Sequence, residues 1–233
     1  GIGASVTLPS AFIDKEFSLI AEDYQIRAAK TGMLADAELI ETVVKNYQQY
    51  NFGPLVVDPV IVTKHGNLLL EEAALSSLKE KLVPLATVLT PNFYEAEKLT
   101  GRTLTTDEDY VQAAVDLQAM GAKNVMIKGF HTKESNQEEV RDYVLLESGR
   151  SFWLSAVFYP TDRINGTGDT FSACIAAELA KGKTVEEAIR TAKDYVNIAI
   201  GEEIIVGHKY GPINHWAAEK QLSAKNCSSK KNQ

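Results

Sequence analysis

The sequence predicts an α/β fold in which helices cover both faces of a mostly parallel sheet. Short apolar, β-rich runs alternate with segments whose apolar residues recur at helical spacing. Several of these runs end directly in a proline or glycine turn, which is typical of buried strands. Because 233 residues with 45% hydrophobic content suffice for one sizeable core, we expect a single domain over 1–220. A polar, disordered tail is expected over 221–233.

Strands and helices alternate through the first half of the chain. Apolar runs predict buried strands at 55–57, 87–90 and 124–127. Leucines at helical spacing predict a helix over 71–82. A capping box formed by Thr105 and Glu108 predicts a second helix, which runs to Met120 and ends at Gly121. This order of elements favours parallel strands joined by helical crossovers.

An antiparallel pair of strands is expected in the second half. The sequence becomes polar over 130–139, which predicts a mobile loop. Apolar runs at 143–146 and 151–158 then flank a short Glu-Ser-Gly-Arg turn. This spacing indicates a hairpin added to the parallel part of the sheet.

Two helices are expected after the hairpin. The first covers 170–181 and ends at Gly182, since glycine commonly terminates a helix. A capping box of Thr184 and Glu187 predicts the second, over 185–200, where apolar residues keep helical spacing. No internal repeat or linker divides the sequence, so one domain remains the expectation.

Composition excludes several classes of function. A net charge of −7 argues against nucleic acid or an anionic membrane as the main partner. No apolar run approaches the roughly 20 residues that a membrane span requires. Cys174 and Cys227 form no disulfide framework, and four scattered histidines show no metal-ligand spacing. We therefore expect a soluble protein of the reducing cytoplasm.

The stretch Gly166-Thr167-Gly168-Asp169 carries the clearest chemical signal. Unpaired backbone N–H groups at a helix start, with no Cβ on the glycines to block approach, form a pocket for an anion. Asp169 places a carboxylate beside that pocket, as a phosphoryl-transfer enzyme requires of its base. The alternative is an ordinary turn in which the aspartate caps a helix and the glycines supply positive φ.

Polar side chains follow three of the predicted strands. Asp58 follows the first, Asn92 and Glu95 follow the second, and Lys128 ends the third. In open α/β sheets the carboxyl ends of parallel strands meet at one edge, where ligands bind. There the two carboxylates can hold Mg²⁺ through waters, Asn92 can contact those waters or a phosphate oxygen, and Lys128 can neutralise nucleotide charge. Singly, each residue also fits a turn, a helix start or the surface, but together with the glycine turn they indicate phosphoryl transfer.

Motifs along most of the chain resemble one family. The sequence is similar to hydroxymethylpyrimidine/phosphomethylpyrimidine kinases of the ribokinase superfamily, a subgroup that also includes pyridoxine/pyridoxal kinases. The similarity extends from about residue 5 to residue 218. The motifs that carry it are Lys30-Thr31-Gly32-Met33-Leu34, Val57-Asp58-Pro59-Val60, Leu85-Ala86-Thr87-Val88-Leu89-Thr90-Pro91-Asn92, Glu95-Ala96-Glu97, Ile127-Lys128-Gly129, Gly166-Thr167-Gly168 with Phe171-Ser172-Ala173, and Gly211-Pro212 with His215.

The resemblance implies a ribokinase-like three-layer sandwich and a reaction. That reaction is ATP-dependent phosphorylation of the hydroxymethyl group, or of its phosphate, of 4-amino-5-hydroxymethyl-2-methylpyrimidine in thiamine biosynthesis. It also implies ATP and Mg²⁺ as cofactors, a small heteroaromatic alcohol as substrate, and a homodimer. The residues it assigns are Asp169 as base and substrate contact; Gly166, Thr167 and Gly168 as anion hole; Lys128, Gly129 and Asn92 as ATP contacts; Asp58 and Glu95 on the magnesium side; and Val60 in the substrate pocket.

The chain departs from the resembled family in two ways. Close relatives in this subgroup usually have cysteine where this chain has Asp169, whereas the wider superfamily has aspartate. The family also begins with a strand and a glycine-rich segment, and the given chain begins after them. Three alternatives therefore stay open: a pyridoxine/pyridoxal kinase of vitamin B6 salvage, a sugar kinase of the ribokinase type, and a nucleotide-binding module with impaired catalysis.

Overall fold

The computed structural model describes residues 6–61, 72–130, 138–208 and 211–221. Within them, one six-stranded sheet has the order β1-β2-β3-β4-β5-β6. The strands are β1 (Ala29–Thr31), β2 (Leu55–Val57), β3 (Val88–Leu89), β4 (Asn124–Phe130), β5 (Glu139–Leu145) and β6 (Ser151–Val157). The helices are α1 (Ser10–Asp23), α2 (Ala37–Gln49), α3 (Glu72–Ser77), α4 (Phe93–Thr100), α5 (Asp107–Ala119), α6 (Thr167–Ala180) and α7 (Val185–Gly201), and 215–221 is also helical.

The sheet is parallel through its first four strands. β1 pairs with β2, β2 with β3 and β3 with β4, all in parallel register. β5 and β6 then add as an antiparallel hairpin on β4. The carboxyl ends of β1 to β4 therefore lie at the same edge, and the prediction of a mostly parallel sheet is confirmed.

Apolar side chains alternate between two cores, one on each face of the sheet. Leu55 and Val57 of β2 pack with α2, α4 and α5, whereas Val56 between them packs with Phe171 of α6 and Ile189 of α7. Successive strand residues point to opposite faces, so a run of three buried residues requires helices on both sides. The predicted three-layer α/β architecture is confirmed. Among the described residues, no helix combines the length and apolar character needed to cross a membrane.

The start of α5 differs by one residue from its prediction. Thr106, not Thr105, is the N-cap, and Asp109, not Glu108, completes the capping box. Thr105 with Glu108 and Thr106 with Asp109 both have the three-residue spacing of a capping box. However, Asp109 accepts hydrogen bonds from the backbone N–H groups and from the hydroxyls of both threonines. These bonds to the charged form, the Thr106 hydroxyl first, lower the pKa of Asp109 to about 2. The capping box of Thr184 and Glu187 at α7 is confirmed.

Three other boundaries move relative to the sequence prediction. α6 begins at Thr167, three residues before the predicted start, so the glycine turn belongs to the helix itself. The predicted helix over 71–82 is α3 followed by a π-helical turn at Leu78–Leu82. β4 and β5 extend into the polar stretch at 130–139, of which 131–137 lies outside the described residues, as does the predicted tail beyond 221.

Candidate active site

Two strand ends and one helix start meet at the carboxyl edge of the sheet. Asp58 follows β2 and is only 4% exposed. Its Oδ1 accepts a hydrogen bond from the Nζ atom of Lys128, in β4, at 3.1 Å. A Cβ atom placed on Gly168 would lie 3.4 Å from that Nζ and 3.6 Å from Asp58 Oδ2. The first turn of α6 therefore sits directly against the Asp58–Lys128 pair, and glycine at this position keeps the approach open.

The period of two along each strand explains why these side chains converge. Ala28, Val56 and Met126 belong to the core beneath α6 and α7. Two residues further along each strand come Lys30, Asp58 and Lys128. Because side chains two residues apart share a face, the three polar residues continue past the core toward the start of α6.

Asn92 and Glu95 lie beside this pair at the start of α4. Asn92 caps α4 and forms an isolated parallel bridge with Lys128. Glu95, 3% exposed, closes the capping box by accepting the backbone N–H of Asn92 at 2.8 Å. Burial raises the pKa of Glu95 to about 7; Lys128 opposes this rise and Asp58 adds to it. Glu95 thus has a structural role, and it also brings a second carboxylate next to Asp58.

Glu95 should make stability depend on pH. Its pKa rises from 4.5 to about 7 in the folded state, so the folded state binds the proton more tightly. Stability is therefore highest below the unfolded value and falls as pH rises through this window, by roughly 3 kcal/mol in total. We expect Glu95→Gln, which keeps an acceptor for the Asn92 amide, to unfold at a higher temperature than the wild type at pH 8 without divalent cations. The difference should vanish near pH 4; a constant difference across this range would contradict the assignment.

The glycine turn has the geometry of an anion site rather than of a capped helix. Gly166 is the N-cap at φ 88°, and no side chain caps the helix. Asp169 is the third helical residue, so the alternative in which it caps α6 is wrong. Asn165 holds the preceding backbone by donating its N–H to Gly211 O at 3.1 Å. The N–H of Thr167 donates to Ile164 O at 3.3 Å, just before the helix. The N–H groups that follow in the first turn have no acceptor within the helix, which suits them to bind an anion.

Asp169 pairs with a lysine that the sequence analysis did not assign. Its carboxylate accepts a hydrogen bond from Lys30 Nζ, at the carboxyl end of β1. The Asp169 side chain is 76% exposed and that of Lys30 is 23% exposed. The pair lies beside Gly32, where a Cβ would be 3.6 Å from Lys30 Nζ. The only sequence signal was Lys30-Thr31-Gly32 itself, since β1 (Ala-Lys-Thr) contains polar residues and is not recognised as an apolar run.

Val60 and Gly129 flank this constellation. Val60 is partly buried and follows Asp58 in a tight turn, in which its backbone N–H donates to Asp58 O at 2.9 Å. Gly129 follows Lys128 with φ 73°, and a Cβ atom added to it would meet no other atom within 4 Å. The structure therefore brings every predicted site residue to the carboxyl edge of the sheet, although their roles remain predictions.

Cavity size alone would not have located this edge. One cavity, of about 500 Å³, lies between the ends of α1 and α2 and is lined by Tyr24, Tyr50 and Phe52. A smaller one of about 320 Å³ lies beside the loop that leads to the glycine turn, lined by Arg163, Glu203 and Gly211. Within the described residues, no group of three or more His, Cys, Asp or Glu side chains forms a ready-made metal site.

The chain matches known kinases over most of its length. The sequence profile of the phosphomethylpyrimidine kinase family matches residues 1–214. The hydroxymethylpyrimidine/phosphomethylpyrimidine kinase of Haemophilus influenzae is 46% identical over 210 residues, covering 90% of this chain and 78% of that protein. The Helicobacter pylori enzyme of the same name is 40% identical and covers 87% and 75%.

Solved structures agree with this family. The ADP complex of Bacillus subtilis pyridoxal kinase superposes with a TM-score of 0.82 at 32% identity, covering 92% of this chain and 79% of that chain. The phosphomethylpyrimidine kinase of Clostridium difficile gives 0.71 at 32% identity, covering 84% and 78%. The similarity therefore spans both sequence and fold. This chain belongs to the phosphomethylpyrimidine kinase family and is a phosphotransferase.

Proposed function

We propose that this protein transfers the γ-phosphoryl group of ATP to the hydroxymethyl group of 4-amino-5-hydroxymethyl-2-methylpyrimidine, and then to the phosphate so formed, in thiamine biosynthesis. The observation that carries the proposal is the contact of the Asp58–Lys128 pair with Gly168 at the start of α6. This places a cation and an anion-binding helix start together, as the triphosphate requires. Identities of 46% and 40% with two kinases named for this pyrimidine support the substrate.

Each site residue has a separate role in the proposed reaction. Asp169 takes the proton of the substrate hydroxyl as its oxygen bonds to the γ-phosphorus, while the bond from that phosphorus to the β–γ bridging oxygen breaks and ADP leaves. The N–H groups at Gly166, Thr167 and Gly168 stabilise charge on the transferred group. Lys128, with Asn92 and Gly129, holds the nucleotide phosphates, and Val60 contacts the ring.

Magnesium fits the side of the site that holds Asp58 and Glu95. Burial is the main cause of the raised pKa of Glu95, and the second carboxylate, Asp58, adds to it. A divalent cation held between the two carboxylates would favour their charged forms. Two carboxylates suit an ion that keeps most of its waters and takes its remaining ligands from phosphates. When bound, Mg²⁺ would neutralise charge on the nucleotide.

A second candidate is phosphorylation of pyridoxal. Its support is structural: the Staphylococcus aureus pyridoxal kinase, solved with AMP-PCP and pyridoxal, superposes with a TM-score of 0.79. Its identity with this chain is 32%, lower than the 46% and 40% of the pyrimidine kinases from Haemophilus influenzae and Helicobacter pylori. We therefore rank the pyrimidine first. The resemblance also supports a cytoplasmic homodimer. Light scattering of the purified protein measures directly whether it is a dimer.

A side-by-side assay tests the substrate. The purified protein is given Mg-ATP with the pyrimidine alcohol, its monophosphate or pyridoxal, and ADP release is measured. We expect kcat/KM for the pyrimidine alcohol to exceed that for pyridoxal by about tenfold or more, since a site that hydrogen-bonds one ring discriminates against another. Turnover of pyridoxal alone would reverse the ranking. ATP binding without turnover of any acceptor would favour a nucleotide-binding module.

A further inference from the structure

A β-bulge lies in β4 at the position of Lys128. The pairing of β4 with β5 runs through Ile127 and Tyr143, then resumes at Phe130 and Arg141. Two residues, Lys128 and Gly129, therefore lie opposite one residue, Asp142, and Gly129 takes φ 73°. Bulges of this kind bend a strand and redirect its side chains, and they are frequent next to active sites.

Asp142 closes the bulge with its side chain. Its Oδ1 accepts the backbone N–H of Gly129 at 2.8 Å, and its Oδ2 accepts a hydrogen bond from Lys193 Nζ at 2.6 Å. Asp142 is 3% exposed and Lys193 is 9% exposed. An amide that the displaced ladder would leave unpaired is thus satisfied by a buried carboxylate, which is itself neutralised by a lysine of α7.

Stability alone does not account for a buried ion pair at this place. Removing two charges from water costs about as much as their attraction returns, so apolar replacements are often neutral or stabilising. The pair does, however, connect the bulge to α7, and α7 packs along α6, whose first turn faces Lys128. It therefore links the strand that carries Lys128 to α7 directly, and to α6, which carries the glycine turn, through the packing of α7 on α6.

We propose that Asp142 and Lys193 form a positioning pair that fixes the bulge and so aims Lys128 at the nucleotide phosphates. The proposal rests on the proposed function, in which Lys128 contacts ATP. Neither residue touches the nucleotide. Asp142 acts through the Gly129 amide, and Lys193 acts by keeping the Asp142 carboxylate in place.

Two double variants separate the hydrogen bond from the charge. Asp142→Asn with Lys193→Met removes both charges but keeps an oxygen for the Gly129 amide. Asp142→Ala with Lys193→Met removes both charges and that acceptor. With AMP-PCP and Mg²⁺ in calorimetry, we expect the first variant to bind within about threefold of the wild type and the second to bind about tenfold more weakly, since a buried amide left unpaired costs a factor of this order.

The Lys128→Met background decides whether the effect passes through Lys128. In that background the two double variants should bind AMP-PCP equally, while binding of the pyrimidine alcohol stays unchanged throughout. Equal binding of the two variants with Lys128 present would overturn the positioning role, and so would a tenfold difference that persists without Lys128. If Lys128→Met itself leaves AMP-PCP binding unchanged, both this proposal and the nucleotide role of Lys128 fail.

Folding is checked separately in each variant by a cooperative thermal transition. If the alanine variant does not fold, Asp142→Leu with Lys193→Met removes the same acceptor while filling the space of the buried carboxylate, since apolar replacements of a buried ion pair are often neutral for stability. The same tenfold weakening, absent in the Lys128→Met background, is expected there. Its persistence in that background would contradict the proposal.

Discussion

Asp169→Asn is expected to lower kcat for the pyrimidine alcohol by a factor of about 10² or more, while the affinity for AMP-PCP stays the same. The amide cannot accept the hydroxyl proton, yet its size and its place at the third position of α6 are unchanged. Because Asp169 pairs with Lys30, whereas Lys128 pairs with Asp58, the nucleotide contacts should survive. Single-turnover rates and calorimetry measure the two quantities separately.

Phosphorylation of the pyrimidine monophosphate, the second acceptor of the proposed reaction, makes this experiment more specific. A phosphate monoester has its second pKa at about 6, so near pH 8 its oxygen attacks without losing a proton. A base is then unnecessary, and a carboxylate close to the acceptor repels it. We expect Asp169→Asn to slow phosphorylation of the monophosphate by less than about tenfold, far less than phosphorylation of the alcohol.

A matched control is available on the surface. Asp14 also pairs with a lysine, Lys45, at 2.9 Å, on helices α1 and α2. Asp14→Asn should leave both steps unchanged. Equal losses for alcohol and monophosphate in Asp169→Asn would argue that the residue organises the site rather than accepting a proton, and near-normal turnover of the alcohol would remove it as the base.

The layer structure could be predicted because it depends on local patterns. Three-residue apolar runs such as 55–57 require burial on both faces, and the glycine and proline turns mark where those strands end. The start of α5 was predicted one residue too early because two neighbouring capping boxes are possible there. Thr105 and Thr106 both offer a hydroxyl at capping distance from an acid, and only the three-dimensional hydrogen bonds to Asp109 decide between them.

The site could be predicted only in part, because some of its residues follow local sequence patterns whereas others depend on tertiary packing. Asp58 and Lys128 follow recognisable strands, so the rule that strand ends converge places them together. Asp142 and Lys193 are different, since their role depends on a bulge and on the packing of α7 against the sheet. No spacing in the sequence specifies that an acid in one strand meets an amide in another 13 residues away.

Lys30 was also outside the reach of sequence reasoning, and it carries the second large expected effect. Its ammonium group donates to the carboxylate of Asp169. This contact holds the carboxylate at the start of α6, where the proposed reaction requires it to meet the substrate hydroxyl. A hydrogen bond between charged groups is worth about 1.5–3 kcal/mol, so Lys30→Met should lower kcat for the alcohol by roughly 10- to 100-fold.

Non-additivity identifies how Lys30 acts. If it works by orienting Asp169, Lys30→Met should cost little further activity in the Asp169→Asn background, because the oriented carboxylate is already absent. Lys45→Met, which breaks the equivalent surface pair with Asp14, should change nothing. A full, multiplicative loss in the double variant would mean instead that Lys30 contacts the transferred phosphoryl group directly. Since β1 holds Lys30 at the same sheet edge as Lys128, the measurement decides whether the second lysine serves the base or the phosphate.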